Sequence, residues 1–107
     1  YQRVAGSAFA EQLDFEVPAA ATREQLLLAH DPHYVDRVLA GTLTRAEIRE
    51  LGFPWSPALV ERSSRSVGGT LAAVRSAVAA RSVAVTLSGG THHAMRDRGQ
   101  GYCVFND

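Results

Sequence analysis

Val83-Ala84-Val85-Thr86-Leu87 is a β-branched, apolar run of strand length, set between the longest helical pattern of the chain and a glycine-rich loop. A continuous apolar run without polar alternation reads as a parallel strand buried on both faces. Upstream of it, Ser56 is a helix N-cap and Pro57 fits the first helical position, where its missing N–H costs nothing. The helix they launch runs from about Pro57 to Ala80. Leu59, Val60, Ser63, Val67, Thr70, Leu71, Val74 and Val78 recur in it at three and four, while Glu61, Arg62, Arg65 and Arg75 fall mostly elsewhere. Gly68-Gly69 in its middle costs roughly 1 kcal/mol per glycine relative to alanine. A helix tolerates that where another backbone must approach closely. Downstream, Ser88 to Gly101 is glycine-rich and charged, a loop leaving the carboxyl end of the predicted strand. In open α/β sheets that is where ligand sites gather.

Further towards the N-terminus the signals are short. Val4, Ala5, Ala8, Phe9 and Leu13 fall on one helical face, interrupted by Gly6. Leu13, Phe15 and Val17 alternate with Asp14 and Glu16, the period of an extended strand ending at Pro18. Thr22 with Gln25 three residues on is a capping box opening a short helix into Leu26 to Ala29. Asp31-Pro32 opens another, with Tyr34, Val35, Val38 and Leu39 as its buried stripe and Gly41 as its stop. Thr44 to Leu51 is a further short helix ended by Gly52, and Phe53 to Pro57 is a loop.

The bulk properties set limits. At 107 residues there is room for one domain and one core. Lys plus Arg and Asp plus Glu number eleven each, so no global field draws the chain to nucleic acid or an anionic membrane. A single cysteine makes no intrachain disulfide, which fits a reducing compartment such as the cytoplasm. The longest apolar run, at Leu26 to Ala29, is far short of a membrane span, and no signal-peptide layout opens the chain.

Chemistry concentrates at Gly89-Gly90-Thr91-His92-His93-Ala94 and Gly101-Tyr102-Cys103-Val104-Phe105-Asn106-Asp107. Adjacent imidazoles diverge on an ordinary backbone, and Gly89-Gly90 permits the twist that would aim both inward. A metal role is disfavoured, since no third or fourth ligand of matching spacing is evident and helical ligand pairs are separated by a turn. Proton transfer suits neutral imidazoles better, one taking a proton from an attacking water while the other steadies charge or protonates the leaving amine. The bland alternative is a tight turn whose histidines face solvent or cap nearby backbone. Cys103 could be a nucleophile, but buried small-hydrophobe packing is the better reading. A surface or capping role is likewise favoured for His30 and His33, and an anchoring role for Trp55.

These blocks resemble the histone deacetylase family, zinc-dependent hydrolases that remove acyl groups from lysine and related amines. The specific element is Gly-Gly-Thr-His-His-Ala with its Gly101-Tyr102-Cys103 follower. His30-Asp31-Pro32-His33-Tyr34, Trp55-Ser56-Pro57 and Arg65 to Thr70 support it, and the pattern looks most like the class IV branch and its bacterial relatives. The resemblance implies an α/β chain, part of an arginase/deacetylase-like three-layer fold with a mostly parallel sheet, truncated at both ends. Residues 1–107 would then form a single partial domain, the N-terminal portion of the catalytic domain. His92 and His93 match the family's tandem catalytic histidines, the second as general base and the first as electrostatic partner. Gly101 matches the glycine whose carbonyl receives the substrate amide N–H. Tyr102 stands where the family usually has phenylalanine lining the acyl-lysine tunnel; it keeps the aromatic wall and adds a hydroxyl.

The same resemblance places the Zn2+ ligands, the carboxylates that orient the histidines and the transition-state tyrosine downstream of Asp107, with no metal ligand in this chain. The expectation is an intact deacylase acting on acylated lysine or a small acylated amine, with these 107 residues inactive alone. A partial sheet would also leave an uncovered apolar face. The competing expectation is a non-catalytic α/β binding module, or a decayed copy, whose Gly-Gly-Thr-His-His loop merely binds a partner. The sequence leaves the oligomeric state open.

Overall fold

Helix starts in this chain fall where a side-chain oxygen is placed to accept an orphan backbone N–H. A computed structural model describes residues 2–8 and 10–107, with the backbone alone at Ala5. Its helices are α1 (Gln2–Ala5), α2 (Arg23–Leu26), α3 (Pro32–Ala40), α4 (Arg45–Leu51) and α5 (Pro57–Ala80), with one 3-10 turn at Ala10–Gln12. The Thr22 hydroxyl accepts the Gln25 N–H at 3.3 Å, while the Gln25 side chain accepts the Thr22 N–H at 2.8 Å. Asp31 accepts the His33 N–H at 2.8 Å with Pro32 in the first turn, and Ser56 accepts the Leu59 N–H at 3.1 Å. A second reciprocal box joins Thr44 and Glu47, and Glu47 also pairs with Arg37, tying α4 to α3. Gly41 and Gly52 end α3 and α4 as expected.

The glycine pair in α5 has the backbone neighbour its sequence anticipates. The Ala21 N–H donates to the Ser64 carbonyl at 2.9 Å, and Arg65 reaches the Pro18 carbonyl at 2.8 Å. Segment 18–21 therefore lies directly across α5. A Cβ placed on Gly68 would stand 1.9 Å from the Ala19 carbonyl oxygen, whereas one on Gly69 would meet only Thr86 and Pro18 side-chain atoms at 3.3 and 3.4 Å.

The core gathers on this half of α5. Tyr34, Val35 and Val38 of α3 pack with Leu26, Leu51, Leu59, Val67, Val104 and Phe105. The Tyr34 hydroxyl donates to the Val104 carbonyl at 2.7 Å, and burial pushes its pKa up, so it remains a donor. His30 is not the surface or capping residue expected from its position. It is 1% exposed, with its ring edge-on to Phe105 and tilted on Tyr34, and burial holds its pKa below the ordinary 6.5. Trp55 does act as an anchor, its indole N–H donating to the Val38 carbonyl at 2.8 Å.

The α/β expectation fails. Among the described residues there is no strand and no sheet, the one β-type pairing being an isolated bridge between Gln100 and Cys103. Val83 to Leu87 is irregular, with Val83 88% and Val85 73% exposed rather than buried. The physical reason is that a buried strand needs a ladder of hydrogen bonds on its edges and packed layers on its faces. No described segment pairs with it as a strand, and α5, which meets Thr86 and Ser88, covers it only in part. The alternating Leu13, Phe15 and Val17 likewise lie in irregular chain rather than in a strand. The N-terminal helical face is broken at Gly6 into α1 and the 3-10 turn, and Tyr1 and Phe9 lie outside the described residues.

Val74 and Val78, meant for the buried stripe of α5, are exposed. The second half of α5 thus extends beyond the core, consistent with a radius of gyration of 15.1 Å against roughly 13 Å for a compact chain of about this length. The uncovered apolar face was expected on a partial sheet, which is absent among the described residues; the exposed apolar side chains are instead Val74 and Val78 on α5 and Val83, Val85 and Leu87 after it. No helix among the described residues is long and apolar enough to cross a membrane.

Two stability predictions follow from these contacts. Gly68→Ala should destabilise by about 1–3 kcal/mol through overpacking against Ala19. Gly69→Ala should be near neutral, because roughly 1 kcal/mol of helix propensity offsets a slight adjustment of side chains. Denaturant unfolding of the two variants checks the contrast, and equal losses would contradict it. For His30 the folded-state pKa is depressed, so the unfolded chain binds the proton more readily. Its stability contribution is present above about pH 6.5 and is lost as pH falls through the lower folded value. Denaturation midpoints measured from neutral to acidic pH should decline more steeply in the parent than in His30→Gln.

Candidate active site

The tandem histidines sit in a turn that follows Gly89, whose φ of +76° is the left-handed conformation glycine adopts freely. The chain then turns at His92 and His93, bringing the two imidazoles side by side. Their centroids are 4.4 Å apart and the ring planes are inclined by 36°. Both side chains are exposed. The rings are thus kept together rather than splayed, but they lie at the surface rather than aimed inward.

This turn is held from behind by the last two residues of the chain. The Asn106 side-chain amide donates to the Ala94 carbonyl at 2.8 Å and to the His92 carbonyl at 3.3 Å. One Asp107 carboxylate oxygen accepts the Thr91 N–H at 2.9 Å, and the other accepts the Thr70 hydroxyl of α5 at 2.7 Å. Burial works to raise the Asp107 pKa, but the hydrogen bonds from Thr91 and Thr70 outweigh it and hold the carboxyl below its ordinary range. Asn106 is itself tied to the core, its N–H donating to His30 Nε2 at 2.8 Å.

Gly101 comes to the same place from the other side of the loop. A Cβ on it would lie 3.3 Å from Cβ and Cγ of His93, and its φ is +56°. A bare backbone therefore runs beside the second imidazole. Tyr102 also has a positive φ, of 67°. Its N–H donates to the Leu51 carbonyl at 2.9 Å, docking the turn on the end of α4. The Tyr102 ring stands edge-on to Phe53 at 5.1 Å and is 65% exposed. The structure thus brings His92, His93 and Gly101 together, and sets Tyr102 at the outer edge against Phe53. Cys103 is buried, in keeping with a packing role.

The residues present do not fit a zinc site. Among the described residues no group of three or more His, Cys, Asp or Glu side chains converges on one point, and a structural or catalytic zinc takes at least three protein ligands. What two adjacent exposed imidazoles offer instead is proton exchange beside an accessible backbone.

Sequence reading gave His30 a surface or capping role and Thr70 a place in the buried stripe of α5, and it assigned neither these two nor Asn106 and Asp107 to holding the turn. Each bond joins positions remote in the chain, 76 residues apart for His30 and Asn106 and 37 for Thr70 and Asp107. The local signal at His30 was a helix start one residue on, which points to capping; nothing local marks it as buried.

The histone deacetylase domain model matches residues 1–107. The chain is 40% identical over 90 residues to an uncharacterized protein of Picosynechococcus sp., covering 84% of this chain and 30% of that protein. It is 34% identical over 103 residues to the acetoin utilization protein AcuC of Bacillus subtilis, covering 88% and 27%. With histone deacetylase clr6 of Schizosaccharomyces pombe it shares 29% identity over 107 residues, covering 91% and 26%. It therefore spans between about a quarter and a third of the length of these relatives. A domain model matched along the whole chain settles the family, and the chain belongs to the histone deacetylases.

Proposed function

We propose that the protein containing this chain hydrolyses the amide of an acyl-lysine or a similar small N-acyl amine, with His92 and His93 handling the protons. The observation that supports this most is the pairing of two exposed imidazoles at 4.4 Å beside the bare backbone of Gly101, within a family of deacetylases. His93 acts as the general base. It takes a proton from the water whose oxygen attacks the acyl carbonyl carbon, and returns it to the amine as the C–N bond breaks. His92, in ring contact with His93, steadies the charge that His93 acquires. The Gly101 carbonyl receives the substrate amide N–H, and the Tyr102 ring forms one wall for the acyl chain.

Histone deacetylases are generally zinc-dependent, and the metal is assigned to residues outside these 107, since those present do not make its cage. The substrates are then acylated lysine side chains or acylated small amines, neither nucleic acid nor membrane being involved, and the reaction is placed in the cytoplasm. By the same reading the 107 residues alone have no hydrolytic activity.

Full-length protein supplied with zinc should release acetate from an acetyl-lysine peptide or an acetylpolyamine. His93→Ala should lower kcat by roughly 100- to 10,000-fold, and chelation should abolish turnover. The chain of 107 residues assayed in parallel should give none. Turnover by that chain alone would show that the metal assignment is wrong, and an unaltered rate in His93→Ala would remove the general-base role.

A further inference from the structure

His30 is fully buried three helices away in sequence from the tandem histidines, and both of its ring nitrogens are engaged with their loop. Nε2 lies 2.8 Å from the Asn106 backbone nitrogen. An amide N–H only donates, so Nε2 must carry the lone pair, and the neutral ring keeps its proton on Nδ1. Nδ1 faces the Arg96 carbonyl at 3.3 Å, and the neighbouring Asp31 N–H donates to the same oxygen at 2.8 Å. One rigid ring thus joins the stretch just after His93 to the residue whose side chain holds the His92 and Ala94 carbonyls. The depressed pKa of His30 keeps it in this neutral form. Its burial keeps it out of reach of any substrate.

We propose that His30 is a positioning residue for the tandem histidines, clasping Arg96 and Asn106 so that the Asn106 side chain fixes the turn that sets His92 and His93 side by side. Its effect on hydrolysis rests on the function proposed above; its effect on the turn does not. The two ring nitrogens have separable roles. Glutamine at this position offers an amide oxygen near Nε2 and preserves the acceptor for Asn106. Asparagine reaches only as far as Nδ1, keeping the Arg96 contact and losing the other.

The test uses full-length, zinc-supplied protein carrying His30→Asn or His30→Gln, with acetyl-lysine peptide kinetics and nitrogen-15 spectra of the histidine side chains. His30→Asn should lower kcat about 10- to 100-fold with KM changed less than about twofold, and His30→Gln should restore most of the loss. The parent spectrum should show His30 protonated on Nδ1, and the His92 and His93 signals should shift in His30→Asn but not in His30→Gln. An Nε2-protonated His30, or His92 and His93 signals unmoved in a folded His30→Asn, would overturn the proposal. So would a folded His30→Gln as impaired as His30→Asn, or a His30→Asn that fails to fold while His30→Gln folds with displaced His92 and His93 signals. If the parent hydrolyses neither substrate while the spectra behave as stated, the clasp stands and the assigned hydrolysis falls.

Discussion

The docking of Val104, Phe105 and Asn106 against the start of α3 is the constraint on which the rest depends. Tyr34 and His30 are both buried; Tyr34 spends its hydroxyl and His30 its Nε2 on the backbone of that segment, at Val104 and Asn106 respectively. A buried donor or acceptor left unpaired costs about 1–3 kcal/mol, so neither contact can be given up cheaply. Phe105 fills the space between them, edge-on to both rings. The packing and the polar satisfaction therefore demand the same placement of the chain. Once Asn106 and Asp107 are fixed there, their side chains determine where the backbone from Thr91 to Ala94 runs.

What could be read from sequence divides along the range of the interaction. The caps at Thr22, Asp31 and Ser56 and the stops at Gly41 and Gly52 involve residues within a few positions, and they lie where the local pattern puts them. Gly68 is an intermediate case. Its sequence implies an approaching backbone without saying which, and the partner is Ala19, forty-nine positions upstream, identifiable only once α5 and segment 18–21 are in place. His30 was misread because its nearest neighbours, Asp31 and Pro32, satisfy a helix start that would explain a polar residue at the surface. Its real partners are Arg96 and Asn106.

The failure at Val83 to Leu87 has a different cause. Apolar β-branched composition reports that a segment suits a pleated, covered surface; it does not supply the cover. Here the described residues provide no neighbouring strand, and Val83, Val85 and Leu87 of the run are exposed, as are Val74 and Val78 of α5. A chain spanning about a quarter to a third of its relatives places its apolar surface unevenly. Ser64, Ser66, Val67, Gly68 and Gly69 are covered, while the end of the same helix is bare.

That unevenness does not reach the anchors behind the tandem histidines. The groups that hold the turn are Thr70, next to the covered part of α5, His30 beside α3, Asn106 of the docked segment and the exposed Asp107 that follows it. The opposite side, where the imidazoles face, carries none of this load. Rigid support behind and access in front is the arrangement that proton transfer requires, since a base must hold its position while the reacting atoms change theirs. The anchors also differ in charge in a useful way. Asp107 is held ionised by its donors and spends both oxygens on Thr70 and Thr91, whereas His30 is held neutral by burial. The turn is therefore fixed by one charged and one uncharged group, each already committed to a partner, and the two imidazoles stand exposed beyond them.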